Sequence, residues 1–323
     1  MAPPSPTRNR LEGVQANVDE LLQLRFKATG IRLHSRRPTI AIPAGGRLAR
    51  FRSHGIDYQE SRNYQPGDDF RHIDWRVTAR TGRPHTKLYQ EERERPVMVL
   101  AEFGPSMFFG TRGAFKSVIA ARVGALLAWA TIANGDRIGA LLVGRNRQLA
   151  LRPAGREQGV LRLIRELVSW TAWDKDSVAM PVPRLSETLD SLNRVVRPGS
   201  LIVIVSDFYT LDPAADSQLA RLRRRHELLA CQILDPLERL PPPPSRYGIS
   251  DGLQPLLLDT TSARCRDDYI ACLGARQEAV RSLLNRHAIP LLPILTHEDT
   301  AASLRRNLKE RSCRAPLTRG PSL

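Results

Sequence analysis

Residues 64–80 hold the densest mixture of unlike chemistries in the chain. Asp68, Asp69 and Asp74 supply acceptors. Arg71, Arg76 and Arg80 supply planar donors that can grip a carboxylate through two bonds. Phe70, Ile73 and Trp75 give the stretch apolar anchors, and Pro66-Gly67 is a turn signal. Interleaved carboxylates and guanidinium groups favour paired, ionised side chains over acid–base catalysis. Two readings stay open: an ion-pair knot that staples the segment to a core, or a docking surface for a partner. Arg62, Tyr64 and Gly67 flank or belong to the same group.

No other catalytic pattern stands in the chain. GxSxG, HExxH and GxxxxGK[ST] are absent, and the seven histidines are dispersed without metal-ligand spacing. Ser106 precedes a helical stretch, but the sequence brings no histidine to it. The expectation is a protein that is not an enzyme.

The elements that must position these residues alternate in type. Residues 1–12 read as a flexible leader, and 14–28 as an amphipathic helix stopped at Gly30. Residues 31–95 read as a small β-rich subdomain that carries the 64–80 stretch. From residue 96 to 311, apolar strands at 97–101, 137–143, 201–205, 228–234 and 290–295 alternate with helices. Those helices fall at 116–133, 156–170, 185–196, 213–226, 267–287 and 298–310. Residues 254–259 read as an edge strand. Such alternation predicts an α/β fold: a doubly wound, mostly parallel sheet with helices on both faces. Ligands of such sheets bind at the carboxyl ends of the strands, which points to the loops at 102–107 and 206–208. Residues 312–323 read as a disordered basic tail.

Composition bounds the class. With 323 residues, 41% hydrophobic and 25% charged, the chain can bury a sizeable core. Cys231, Cys265, Cys272 and Cys313 form no CxxC pair, so neither a zinc site nor a disulfide framework is indicated. The first residues carry no apolar run of a secretory signal, and no stretch reaches the about 18 apolar residues that span a bilayer. A reducing cytoplasm is the expected setting.

Pro66-Gly67-Asp68-Asp69, Arg71-x-Ile73-Asp74-Trp75 and Ala79-Arg80 together resemble the signature of a bacterial family, domain of unknown function 58, built on a von Willebrand factor A-like domain. Lys116, Gly135-Asp136-Arg137-x-Gly139, Ser206-Asp207-Phe208 and Asp235-Pro236-x-Glu238 extend the resemblance over about residues 40–310. It implies a metal-ion-dependent adhesion site, where hard oxygen ligands hold magnesium and leave one position for a partner's carboxylate. The pattern here is degenerate. Glu102 stands where the family of A-domains has aspartate, Gly104 lacks a hydroxyl, and no threonine is in register for the second loop, although Thr188 lies further on. Ser106 and Asp207 keep their positions. The competing reading is that Glu102 and Asp207 cap helices or pair with a nearby Arg or Lys.

The resemblance also implies a partner, a MoxR-type AAA+ ATPase, which the chain would serve as an adaptor or co-chaperone. The alternative rests on the net charge of +16: a basic protein bound to nucleic acid or to a membrane surface. Arg221 to Arg225 close a helix, where the dipole favours cations, and Arg305, Arg306, Lys309, Arg311 and Arg314 make a basic run. Aromatic residues, at 6%, are not interleaved with these runs, so a base-stacking platform is not supported.

Overall fold

The computed structural model describes residues 13–33, 56–65, 70, 73–91, 95–145, 147–172, 181–250 and 254–314. In chain order the elements are α1 (Val18–Lys27), β1 (Ile56–Asn63), α2 (Trp75–Thr81), β2 (His85–Glu91), β3 (Pro96–Phe103), α3 (Lys116–Ala133), β4 (Arg137–Gly144), β5 (Gln148–Ala154) and α4 (Arg156–Trp170). They continue with α5 (Leu185–Val195), β6 (Leu201–Ser206), α6 (Ala215–Arg223), β7 (Glu227–Leu234), β8 (Arg246–Ser250), β9 (Pro255–Asp259), α7 (Ala263–Arg286), β10 (Leu291–Leu295) and α8 (Thr300–Arg314). The chain divides into two units, Arg36–Glu94 and the remainder, Met1–Ser35 with Arg95–Leu323.

The larger unit is built on a six-stranded sheet of order β10-β7-β6-β3-β4-β5. Every pairing is parallel except that of the edge strand β5 with β4. This is the doubly wound order expected, with its switch point between β3 and β6. Alternate side chains of each strand enter opposite layers. Val97, Val99 and Ala101 join a core with Leu21 of α1, Ile119 of α3, Leu163 of α4 and Leu304 of α8. Met98 and Leu100 join a second core with Leu189 of α5, Leu219 of α6 and Leu284 of α7. Burial on both faces explains why these strands read as unbroken apolar runs.

Helix α3 is apolar on nearly all sides, Arg122 excepted, because it is enclosed by β3, β4, α1, α4 and α8. By length and composition it is long and apolar enough to cross a membrane, where the sequence indicated no such stretch, but 83% of that window is buried inside the protein. The N-terminal helix belongs to the same core: Trp129 Nε1 donates to the Leu21 carbonyl at 3.1 Å, and the Ala16 amide donates to Thr171 Oγ1 at 3.0 Å.

Gly139 sits where the β4–β5 register shifts. A Cβ there would lie 2.6 Å from Met98 Sδ and 2.8 Å from the Leu151 carbonyl oxygen, so close approach requires the glycine. Residues 255–259 form a strand, but it is not an edge of the main sheet. β9 pairs with β8 as a separate antiparallel hairpin. The proline run 241–244, which has no amide hydrogens to give a ladder, carries the chain away from β7.

The smaller unit pairs β1 with β2 antiparallel, with a register shift between Tyr58 and Glu60. Ile73 makes an isolated bridge to Thr86 and is buried.

Candidate functional site

The loops after β3, β6 and β7 meet at the carboxyl edge of the sheet, and they meet around charge. Lys116 opens α3 and is 1% exposed. Its Nζ donates to Asp207 Oδ2 at 2.8 Å and to Glu238 Oε1 at 2.6 Å. A cation at a helix N-terminus works against the dipole, so these two carboxylates must hold it there. Burial alone would lower the lysine's pKa, but Asp207 and Glu238 more than offset that and raise it above the ordinary value. The rings of Tyr209 and Phe109 lie 5.0 and 6.0 Å from the ammonium.

Local backbone features aim the ligands. Phe208, buried behind the loop, has φ +60°, a left-handed conformation costly for a bulky residue. Arg276 of α7 donates to the Phe208 carbonyl at 3.0 Å and stacks 3.5 Å from the Tyr209 ring centroid. Asp207 Oδ1 accepts the Tyr209 amide at 3.0 Å. Glu238 ends the short 3-10 turn Pro236–Glu238, and its Oε2 accepts the Asp235 amide at 2.8 Å. Asp235 in turn accepts from Thr111 Oγ1 at 2.6 Å and Thr296 Oγ1 at 2.9 Å. Burial would raise its pKa; the bonds from Thr111, Leu237 and Thr296 outweigh burial and hold it below the usual carboxylate range.

Glu102 makes a separate, hydroxyl-lined nest. Ser206 Oγ donates at 2.5 Å, and Thr210 Oγ1 lies 3.1 Å from each carboxyl oxygen. Thr188 of α5 also bears on this carboxyl, although its buried hydroxyl has no partner at hydrogen-bonding geometry. Burial pushes the Glu102 pKa up to about 7, against the lowering effect of Ser206 and with a further push from Asp207.

The divalent cation that the A-domain resemblance implies does not fit this donor set. Both Asp207 oxygens are taken, one by an ammonium. Both Glu102 oxygens accept hydroxyls. Gly104 offers no side-chain oxygen, and Ser106 sits half-buried in the 3-10 turn Pro105–Met107. Among the described residues no three His, Cys, Asp or Glu side chains converge as a metal cluster. Glu102 and Asp207 thus lie at one edge but serve different partners.

The 64–80 stretch lies in the smaller unit. Asp74 is buried and structural in its contacts: Oδ1 accepts the Arg76 and Val77 amides at 3.2 Å each, and Oδ2 accepts Ser61 Oγ at 2.8 Å. Trp75 is 70% exposed, and Arg80 is exposed in the last turn of α2. Tyr64 stacks on Phe70 with centroids 5.5 Å apart, and Arg62 donates to the Asn63 carbonyl at 3.1 Å. Gly67, Asp68 and Arg71 lie outside the described residues.

Sequence reasoning assigned no role to Lys116, Glu238, Tyr209, Thr210 or Arg276. One signal was present for Lys116: a lysine placed at the first turn of an otherwise apolar helix needs buried counter-charges.

The outer surface of this edge is a shallow depression lined by Asp207, Tyr209, Glu238, Leu273, Arg276 and Gln277. Tyr209 and Phe109 are 42% and 40% exposed beside it.

The family described as "Protein of unknown function DUF58" matches residues 60–279. Uncharacterised proteins of Mycobacterium tuberculosis and Mycobacterium bovis are each 29% identical over 272 residues, 83% of this chain and 83% of theirs. One of Mycobacterium avium is 30% identical over 129 residues, 39% of this chain and 75% of that protein. Among solved structures, the conserved hypothetical protein BatB from Bacteroides thetaiotaomicron superposes with a TM-score of 0.40 at 10% identity, covering 68% of this chain and 99% of that one. A von Willebrand factor type A protein from Catenulispora acidiphila gives 0.37 at 11% identity, covering 71% and 44%. At these scores the doubly wound fold rests on the chain's own strand order.

Proposed function

We propose, from the premise that the chain belongs to the DUF58 family, that it is a non-enzymatic interaction module acting in the cytoplasm through the carboxyl edge of its six-stranded sheet. The observation that carries this reading is the Lys116–Asp207–Glu238 cluster. It ties three loops of that edge together from within and leaves Tyr209 and Phe109 standing outward from a rigid base. Exposed aromatic side chains on a pre-organised base are the usual anchors of a protein interface. The carboxylates that could serve acid–base chemistry are instead committed to Lys116, Ser206 and Thr210, which supports docking over catalysis. The partner we propose is a MoxR-type AAA+ ATPase, served as an adaptor or co-chaperone. That assignment comes from the family resemblance.

The basic-surface alternative loses part of its footing in α8. Arg305 donates to the Ala301 carbonyl, Arg306 pairs with Glu298, and Arg311 pairs with Glu227 and reaches the Leu33 carbonyl. Arg305 and Arg311 are thereby drawn into the fold of the larger unit, while Arg306 stays exposed in a surface pair.

The test is direct binding between the purified chain and the MoxR-type ATPase of the same genome, with and without ATP. A Y209A/F109A variant with wild-type thermal stability is expected to lose binding about tenfold or more. Undiminished binding by that variant sinks the edge as the docking surface. Absence of any binding by the wild type sinks the partner.

A further inference from the structure

We infer that Lys116 is a tethered cation standing in for a divalent ion, so that the carboxyl edge is set without metal at any cation concentration. The geometry points to this through Asp207. Its position after the central strand β6 is the one an A-domain uses to complete a metal shell, as the resemblance implies. Here its Oδ2 faces Nζ of Lys116 at 2.8 Å, and Glu238 closes the other side of the ammonium at 2.6 Å. The side chains of Lys116 and Asp207 are 1% and 3% exposed.

Magnesium needs near-octahedral oxygen ligands and gives up its waters reluctantly. An ammonium on a four-carbon stem has neither demand. It arrives already positioned by α3, carries three donors, and is desolvated once, during folding. Its charge joins the β6 loop, the β7 loop and the start of α3, which is the cross-link a metal would otherwise supply. The neighbouring oxygens already accept protein hydrogen bonds. Asp207 Oδ1 holds the Tyr209 amide, Glu238 Oε2 holds the Asp235 amide, and Glu102 is enclosed by Ser206 and Thr210. Removing the ammonium would leave Asp207 and Glu238 facing one another with no cation between them. That is an acidic pair ready for a divalent ion.

This inference stands apart from the docking reading, because a metal titration interrogates the cluster with no partner present. The full chain, stripped with chelator, is titrated with MnCl2 and MgCl2 by calorimetry, and its Tm is followed in parallel. The wild type is expected to give no saturable heat and no shift in Tm between chelator and about 5 mM Mn2+. K116M is expected to melt well below wild type and to regain about 5 °C or more with Mn2+. Saturable Mn2+ or Mg2+ binding by the wild type, abolished in D207N, overturns the inference. So does a K116M protein as stable as wild type in chelator. The wild-type titration decides the question even where K116M does not fold.

Discussion

The Lys116 ammonium and the Asp207 carboxylate, 91 positions apart in the chain, lie 2.8 Å from each other with both side chains almost wholly withdrawn from solvent. Breaking such a pair strands a charge in the interior, and the stranding costs more than the pair contributes. Asp207→Ala is therefore expected to destabilise the larger unit by about 3–5 kcal/mol in urea unfolding. Because Glu238 shares the same ammonium, D207A and E238A should be non-additive, with a coupling of about 0.5–3 kcal/mol in a double-mutant cycle. Additive losses would mean that the two carboxylates do not act on one cation.

Glu102 makes stability depend on pH near neutrality. Its pKa rises from the ordinary 4.5 to about 7 in the folded protein. Below the lower value the carboxyl is protonated in both states and nothing is lost. As pH climbs from there to about 7, the unfolded chain ionises first, so stability falls, and the penalty is complete above the folded pKa. The full loss is on the order of 3 kcal/mol. Asp207 is the charged neighbour that adds to the shift, and Ser206, Thr210 and Thr188 oppose it. E102Q should remove this slope. The check is urea unfolding of both proteins across about pH 4 to 8, and a difference that stays constant over that range would refute the assignment.

Gly139 permits β4 and β5 to close on Met98. G139A is expected to cost about 1–3 kcal/mol by overpacking, since the nearest atoms include the backbone of Leu151 and Pro153, which cannot swing aside. Thermal unfolding measures this directly. An unchanged Tm would show that the strand pair relaxes freely.

Asp74 and Trp75 are adjacent but should behave in opposite ways. D74A removes two bonds to the start of α2 and one from Ser61, at a cost of about 1–2 kcal/mol to the smaller unit. Hydrogen exchange at the Arg76 and Val77 amides should accelerate. W75A removes an exposed side chain and should change stability by less than about 0.5 kcal/mol. Any loss of partner binding in W75A would then be a surface effect. Comparable destabilisation by both substitutions contradicts this division.

Much of the fold was legible because burial on both faces writes itself into sequence as uninterrupted apolar runs. β3 and β6 are such runs, and α3 and α4 occupy the spans their patterns predicted. β8 was not legible: Arg246–Ser250 is mostly exposed and, among the described residues, pairs with β9 alone, so no core imposed a pattern on it. β1 was missed for a related reason, since Ile56–Asn63 carries mixed polar residues and has one antiparallel neighbour among the described residues. The 64–80 stretch drew attention through local density of charge. Of its residues, Asp74 proves to be a helix cap joined to Ser61, a role that needs only near neighbours.

The sequence by itself determined the layered α/β fold and the two loops at the carboxyl edge, because hydrophobic periodicity is a local property that survives in one dimension. It left Asp207 with an unnamed Arg or Lys as a partner and gave Lys116 and Glu238 no role. Only the tertiary structure decided which charge answers which. Coulomb pairing depends on distance in space, and the switch point that sets β6 beside β3, with β7 next, brings the start of α3 within reach of Asp207 and Glu238.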